Sequence, residues 1–392
     1  MNRNLSSLFH IAQKKERTII GLMSGTSVDG LDIALCKISG DGHATKVEVT
    51  AFETIPYHPD FKTEIKSVFS KKTVDFEKLC LLNPWIASQQ AEMINTFLKN
   101  RTLVKEEIDL IASHGQTVYH APKALHQQEK FGNATLQIGD GDHLAVATGI
   151  ITISDFRQKH IAAGGEGAPL AVYGDYLIFS KEGEDRIMLN MGGIANYTYL
   201  PGSLDANKIF STDTGPGNTM MDALMQQHYP VNYFDEDALI ARQGHANESL
   251  LQALKDHPFF EQPFPKTTGP ELFNLLYLQT AKEKAGLNDL SVFDTMATLN
   301  LFSAQTIAEA IKKTMPAGST YHLYASGGGM HNPMLMQHIK ELLPGIPIHL
   351  TTELGIHPDA KEALLFAVLA NECVAGGNIQ FSNELQGIPS VT

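Results

Sequence analysis

The stretch Thr18–Ile38 reads TIIGLMSGTSVDGLDIALCKI and decides the fold class. The β-branched residues that run into Gly21 predict one strand, and the apolar pattern that resumes over Ile33–Ile38 predicts a second. A third strand is predicted over Lys46–Thr54. The chain is therefore expected to open with an antiparallel meander. The loop between the first two strands is longer than the roughly two to five residues of most hairpin turns.

This first loop has the composition of a site for a polyphosphate and its metal ion. Glycines without a Cβ let backbone N–H groups approach a ligand closely, hydroxyls donate hydrogen bonds, and carboxylates suit a hard cation such as Mg²⁺. An ordinary structural turn is the alternative. The residues that carry the prediction are Ser24, Gly25, Thr26, Ser27, Asp29, Gly30 and Asp32.

Length, charge and cysteine usage restrict the class of protein. A chain of 392 residues with 43% hydrophobic and 19% charged residues predicts a soluble protein of two domains. A net charge of −13 argues against nucleic acid or an anionic membrane surface as the main partner. Three scattered cysteines, Cys36, Cys80 and Cys373, indicate neither a disulfide framework nor a zinc site and fit a cytoplasmic location.

The ends of the chain give weaker signals. No apolar run reaches the length of a signal peptide or a membrane span. Residues 1–17 are expected to form a poorly ordered or loosely docked extension.

A helix is predicted over Phe76–Lys99, interrupted or kinked at Pro84.

Polar residues follow two predicted buried strands in the first half. His114 and Thr117 come after Ile108–Ser113, and Asp155 with Arg157 comes after Ile150–Ile153. Ligands bind at the carboxyl ends of strands in open α/β sheets, so these side chains are site candidates. The alternatives are a satisfied histidine and a solvated loop pair.

The second half repeats the opening design. Arg186–Leu200 predicts strand, Gly192-Gly193 and strand, and a further strand leads to the glycine turn Thr214–Asn218. Asn218 is expected to cap a helix that begins at Thr219. Ser326–Asn332 joins a strand to a helix and resembles an anion or nucleotide cradle. An internal duplication of a β-rich unit is the simplest explanation.

Several common site motifs do not occur in the sequence. There is no GxxxxGK[ST] for a P-loop enzyme and no GxGxxG after a strand for a dinucleotide site. Ser24 lies in GLMSG, which does not match the GxSxG nucleophile elbow, and HExxH does not occur.

The motifs together resemble the anhydro-N-acetylmuramic acid kinase family of bacterial cell-wall recycling. The matching stretches are GLMSGTSVDGLD, SHGQT, DFR with IAAGGEGAPLA, LNMGGIAN, DTGPGN and SGGGMHN, in family order from Gly21 to about Glu362. The resemblance implies two duplicated α/β domains of the actin-like ATPase (ribonuclease H-like) type with ATP in an interdomain cleft. Domain I is expected over residues 1–155, with about 370–392 returning to it, and domain II over 156–369.

The resemblance also implies the reaction and the site residues. 1,6-Anhydro-N-acetylmuramate, ATP and water would give N-acetylmuramate 6-phosphate and ADP, with Asp213 as the base that activates water. Asp29 would bind Mg²⁺, directly or through water. The implied sugar-binding residues are His114, Thr117, Asp155, Arg157 and Glu362. The implied nucleotide-binding residues are Ser24, Gly25, Thr26, Ser27, Val28, Asp29, Gly30, Leu31, Gly192, Gly193, Gly215, Gly327, Gly328 and Gly329.

Three positions depart from the family pattern, and two other functions stay open. Glu166 stands where many relatives have glutamine, His160 where an acidic residue is common, and Pro270 where arginine is usual. These departures are expected to affect the details of substrate recognition more than the class of reaction. The alternatives are another small-sugar kinase and a nucleotide-switched binding protein of the actin or Hsp70 type. The sequence leaves a homodimer open.

Overall fold

The chain forms two compact units. A computed structural model describes residues 2–162, 164–168, 170–316, 318–376 and 379. The first unit comprises Met1–Ser180 and Gly355–Thr392, and the second comprises Lys181–Leu354.

The first unit combines one mixed sheet with helices on its two faces. Its strands are β1 Glu16–Ser24, β2 Gly30–Ser39, β3 Lys46–Pro56, β4 Leu110–Ala121, β5 Ala134–Ile138 and β6 Thr152–Ile153. Its helices are α1 Arg3–Gln13, α2 Pro59–Val68, α3 Phe76–Asn100, α4 Lys123–His126, α5 Gly141–Thr148, α6 Phe156–Ala162, α7 Ala171–Phe179 and, late in the chain, α13 Lys361–Ala375.

The second unit is continuous in sequence and has the same two classes of element. Its strands are β7 Asp185–Met191, β8 Ile194–Leu200, β9 Phe210–Pro216, β10 Tyr321–Ser326 and β11 Ile348–Leu350. Its α-helices are α8 Thr219–His228, α9 Glu248–Lys255, α10 Leu275–Ala285, α11 Val292–Thr314 and α12 Pro333–Leu342.

The two sheets repeat one topology. In the first sheet the order is β3-β2-β1-β4-β5, with antiparallel β1–β2 and β2–β3 pairs and a parallel β1–β4 pair. In the second the order is β9-β8-β7-β10-β11, with the same antiparallel meander and a parallel β7–β10 pair. The strands β4 and β10 each pair in parallel with one more strand, which is β6 in the first sheet and β11 in the second. This repetition confirms the predicted duplication of an α/β domain.

Side-chain alternation along β1 gives the first sheet two apolar faces. Ile20 and Leu22 join a core with Ile86 and Ile94 of α3. On the other face α13 lies directly over Gly21, where a Cβ would stand 1.9 Å from the carbonyl oxygen of Ala363. The glycine therefore permits the close approach of helix and strand.

The bounds of the two compact units differ from the predicted domain bounds. The first unit extends to Ser180 rather than residue 155, and the chain returns to it at Gly355 rather than at about 370. The reason is that α7 packs on α13. A Cβ at Gly174 would lie 2.4 Å from Leu365 Cδ1, and Lys361 Nζ pairs with Asp175 Oδ1 at 2.7 Å.

The N-terminal segment also differs from its prediction. Residues 3–13 form α1, whose first turn is capped by the Asn2 side chain accepting from the Asn4 N–H at 2.9 Å. Lys14 Nζ donates to Asp109 Oδ1 at 2.5 Å, and β1 begins at Glu16. The segment was predicted to be poorly ordered or loosely docked. Its N-terminal cap and the Lys14–Asp109 ion pair instead hold it in an ordered helix.

Other element predictions hold with small changes. Pro84 lies inside one continuous helix, α3. In the second unit the long helix α11 begins at Val292, and the short strand β11 covers Ile348–Leu350. Among the helices of the described residues, none has the length and apolarity needed to cross a membrane. Residues 377, 378 and 380–392, the end of the predicted returning segment, lie outside the described residues.

Candidate functional site

The β1–β2 loop is built on a buried hydrogen-bond chain. Ser24 Oγ donates to Gln116 Oε1 at 2.5 Å and accepts from the Tyr57 hydroxyl at 2.8 Å. Gln116 Nε2 in turn donates to the carbonyls of Gly25 at 3.3 Å and Thr117 at 3.2 Å. Ser24 is only 2% exposed. Its hydroxyl therefore supports the loop from inside, and Gln116 joins the loop to β4.

In the rest of this loop, the space beside the Gly25 backbone is open and the backbone of Val28 is strained. At Gly25 the nearest atom to an added Cβ is Ser27 Oγ at 3.6 Å, so the space beside this backbone is open. Val28 is buried and has φ +57°, a left-handed conformation that is unfavourable for a β-branched side chain. Its N–H donates to the Gly25 carbonyl at 3.2 Å. Strain held at such a loop is typical of ligand-binding positions.

The two carboxylates of the loop region face different surroundings. The Asp29 side chain is 78% exposed and lies 4.0 Å from Lys62 Nζ. Asp32 accepts a hydrogen bond from Thr54 Oγ1 at 2.6 Å, and burial raises its pKa. Within the described part of the chain, no cluster of three or more His, Cys, Asp or Glu side chains could hold a metal ion by itself. Mg²⁺ commonly takes one or two carboxylates and completes its shell with water and substrate phosphates, and exposed Asp29 fits that pattern.

His114, Arg157 and Glu362 form a second polar group in the first unit. Arg157 Nε donates to His114 Nε2 at 2.8 Å, and its Nη1 donates to the Gly167 carbonyl at 2.9 Å. Burial and the adjacent guanidinium lower the pKa of His114 to about 3, so the imidazole is neutral. Burial raises the pKa of Glu362, and the charge of Asp32 raises it further. These predicted residues from β4, α6 and α13 do come together.

The other predicted residues of the first unit lie on adjacent elements. Thr117 Oγ1 accepts from Gln137 Nε2 at 3.1 Å. Asp155 is exposed just before α6 and has φ +61°. Among the described residues no hydrogen bond or ion pair links Asp155 to the Arg157–His114 pair. His160 Nδ1 accepts from the Gly167 N–H at 2.8 Å, so this departure from the family pattern secures the glycine-rich segment.

Three glycine segments converge in the second unit. The N–H groups of Gly217 and Asn218 donate to the carbonyls of Gly193 and Gly192, each at 2.9 Å. A Cβ at Gly327, which has φ +80°, would lie 2.7 Å from Asn190 Oδ1. The Gly192-Gly193, Thr214–Asn218 and Gly327–Gly329 segments therefore share one corner of the second unit. Asn218 does not cap α8 with its side chain, because Nδ2 donates to the Met191 carbonyl at 3.1 Å instead.

Asp213 lies inside β9 at the edge of this corner. Its N–H donates to the Lys266 carbonyl at 2.9 Å, and its Oδ2 accepts from the Thr268 N–H at 2.8 Å. Burial raises its pKa to about 6; the Thr268 amide opposes this, whereas Glu271 adds to it. A carboxylate with a pKa near neutrality and one fixed oxygen has the properties of a general base.

The sequence also matches a protein family as a whole. The model of the anhydro-N-acetylmuramic acid kinase family covers residues 17–381. The chain belongs to the anhydro-N-acetylmuramic acid kinase family. The resemblance drawn from the motifs is thereby confirmed.

Individual members of the anhydro-N-acetylmuramic acid kinase family match over nearly their full length. The Pseudoalteromonas atlantica member is 56% identical over 393 residues, covering 100% of this chain and 98% of the relative. The Pseudoalteromonas translucida member is 53% identical with the same coverage. The Caldanaerobacter subterraneus member is 38% identical and covers 95% of this chain and 94% of the relative. Each of the three relatives is named anhydro-N-acetylmuramic acid kinase.

The structure adds two residues that sequence reasoning missed. Gln116 joins the first loop to β4, and Lys266 contacts the backbone beside Asp213. Gln116 lies within the SHGQT motif, so the motif itself indicated a functional position there. Lys266 stands among phenylalanines and prolines in a segment without periodicity, and nothing local distinguished it.

Proposed function

We propose that this chain is an ATP-dependent kinase that converts 1,6-anhydro-N-acetylmuramate and water to N-acetylmuramate 6-phosphate and ADP, in cytoplasmic recycling of the cell wall. The observation that carries the proposal is Asp213, a single carboxylate within β9 whose pKa is raised to about 6. Membership of the anhydro-N-acetylmuramic acid kinase family supports the choice of substrate.

The proposed chemistry needs one base and no separate acid. Asp213 takes a proton from water, whose oxygen forms a bond to the anomeric carbon C1. The C1–O6 bond breaks, and O6 forms a bond to the γ-phosphorus of ATP while the bond from that phosphorus to ADP breaks. Glycoside hydrolysis normally uses two carboxylates, but here the departing oxygen is taken up by phosphorus. General-base assistance of this kind contributes roughly 10²–10⁴-fold to the rate.

We assign contacts to nucleotide phosphates to the glycine segments. Open backbone at Gly25 and the shared corner of the Gly192-Gly193, Thr214–Asn218 and Gly327–Gly329 segments support this assignment. Such amides can donate to phosphate oxygens and stabilise the charge that develops during transfer. Mg²⁺ bound at Asp29 would neutralise phosphate charge.

We assign the sugar to the polar residues of the first unit. Desolvated Glu362 and Arg157, neutral His114, and Thr117 on β4 can form directional hydrogen bonds to hydroxyl, amide and carboxylate groups. Asp155 is assigned to the same ligand from its position between β6 and α6.

A coupled ADP-release assay tests the reaction. We expect ADP release with 1,6-anhydro-N-acetylmuramate and none above background with free N-acetylmuramate. Comparable rates with both sugars would support another small-sugar kinase. Sugar-independent ATP turnover would support a nucleotide-switched binding protein and contradict the proposal.

Asp213→Asn tests the base. The variant keeps the shape and the Thr268 hydrogen bond but cannot accept a proton, so product formation should fall by roughly 10²-fold or more while ATP affinity is retained. In ¹⁸O-labelled water the label should appear at the C1 hydroxyl and not in the phosphate. Label in the phosphate, or an Asp213→Asn enzyme of near-normal rate, would contradict the mechanism.

A further inference from the structure

Lys266 is a buried cation surrounded by aromatic rings. The residue is 8% exposed, and its Nζ lies 4.3 Å from the ring centroid of Phe259 and 4.6 Å from that of Phe264. The ring of Phe260 lies 5.6 Å away. Nζ also donates to the Phe259 carbonyl at 2.9 Å. Three ring faces and one carbonyl therefore hold the ammonium in place.

The backbone of Lys266 is bonded to the strand that carries Asp213. Its N–H donates to Thr212 Oγ1 at 3.0 Å, and its carbonyl accepts from the Asp213 N–H at 2.9 Å. Two residues later, the Thr268 N–H donates to Asp213 Oδ2 at 2.8 Å. The segment anchored by Lys266 thus reaches both the main chain and the carboxylate of Asp213.

A charged side chain at this position requires an explanation beyond packing. Burial, with a smaller contribution from the charge of Lys313, lowers the pKa of Lys266 to about 8, so the environment opposes the cation. Among the described residues no carboxylate forms an ion pair with it. An apolar side chain could fill the same space without the desolvation penalty. What the cation adds is a fixed direction for the segment through its ring and carbonyl contacts.

We propose that Lys266 is a positioning residue for the reaction: its caged ammonium holds residues 264–268 so that the Thr268 N–H fixes the orientation of the Asp213 carboxylate toward water. The proposal rests on the proposed role of Asp213 as the base. In this role Lys266 acts through the segment that it anchors and not by contact with the reacting atoms.

Lys266→Met tests this role, because methionine fills the cage without a cation or donor. We expect kcat to fall about tenfold, the effect of losing one hydrogen bond to a charged group, while KM for ATP and sugar stays near the wild-type value. The acid limb of the pH–rate profile should also move to higher pH, because the Thr268 amide favours the ionised carboxylate. Lys266→Arg, which keeps a cation over the rings, should recover most of the loss.

Lys282→Met is the matched control. Lys282 lies on α10 in the same unit, its Nζ donates to the Leu290 carbonyl at 3.2 Å, and burial lowers its pKa as well. This variant removes a half-buried lysine donor that makes no bond to the Asp213 segment, so kcat and the acid limb should not change.

Thr268→Pro keeps the proposal testable if Lys266→Met does not fold. Proline removes the N–H that donates to Asp213 without changing Lys266, and the same shift of the acid limb is expected. A folded Lys266→Met or Thr268→Pro enzyme with the wild-type kcat and acid limb would overturn the positioning role. An active Asp213→Asn enzyme would instead remove the base on which the proposal rests, which separates the two failures.

Discussion

The buried pair of Arg157 and His114 shows how single residues obtain their properties in this protein. A histidine in water is half protonated near pH 6.5, but here burial and the adjacent guanidinium lower its pKa to about 3. The imidazole therefore accepts the hydrogen bond from Arg157 Nε and stays neutral at physiological pH. The desolvated guanidinium in turn gains a hydrogen-bond acceptor in the imidazole.

This pair predicts a pH dependence of stability. Between pH 6.5 and about 3 the unfolded state protonates His114 while the folded state does not, so the free energy of unfolding falls as pH falls through this window. The slope for one group is at most about 1.4 kcal/mol per pH unit. In His114→Gln, whose carbonyl can still accept from Arg157, the contribution of His114 should disappear, so the pH slope of the unfolding free energy should become smaller. Denaturant titrations at several pH values measure it.

His58→Gln is the control for the histidine experiment. The His58 side chain is 76% exposed, so its replacement should leave the pH dependence of unfolding unchanged. An identical pH slope in His114→Gln and the wild type would show that the folded protein protonates His114 readily.

At the level of elements, the fit of α13 on β1 organises the first unit. Gly21 allows the helix backbone to reach the strand, and the buried face of α13 includes Ala363, Ala367 and Ala370. Small residues on both sides bring the two backbones together. The same contact places Glu362, in the first turn of α13, beside the polar groups of β2 and α6.

Gly21→Ala should therefore destabilise the protein strongly. The new methyl group would stand 1.9 Å from a backbone oxygen, so α13 must shift as a whole. We expect a loss of about 3 kcal/mol or more in the free energy of unfolding, at the upper end of overpacking effects. Gly25→Ala is the matched control, since its nearest atom lies at 3.6 Å, and its unfolding should be close to wild type. Equal stability of the two variants would contradict the described packing.

At the scale of the whole molecule, the two units differ in how the chain builds them: one is continuous in sequence and the other is made of two segments. The second unit is one continuous segment with its own apolar cores, including Ile187 and Leu189 with α11 and Leu250 with Phe273. The first unit is interrupted and regains α13 only after the second unit is complete. Without α13, one face of its sheet would expose Ile19 and Gly21 to water.

Truncation tests this asymmetry. A chain of residues 181–354 should fold alone, with a cooperative thermal transition and native-like far-UV circular dichroism. A chain of residues 1–180 should remain expanded and sensitive to protease because its core lacks α13. A cooperative transition in the 1–180 chain would show that α13 is dispensable, and its absence in the 181–354 chain would show that the second unit is not autonomous.

Much of the fold could be predicted because its signals are local. Apolar alternation identified the strands of both meanders, and glycine with hydroxyl or carboxylate residues identified the loops at their ends. The repeated order of these signals predicted the duplication that the two sheet topologies confirm. Family motifs indicated His114, Arg157 and Glu362, which the structure brings into one group.

The sequence by itself determined the strand and loop pattern, the duplication and the family, since each depends on residues close together in the chain. Only the tertiary structure decided that Lys14 orders the N-terminal helix through Asp109, that the first unit ends at Ser180, and that Lys266 reaches the backbone of Asp213. Those outcomes depend on contacts between residues far apart in sequence. Local propensities differ by only about 1 kcal/mol or less per residue, so packing, burial and long-range hydrogen bonds decide them.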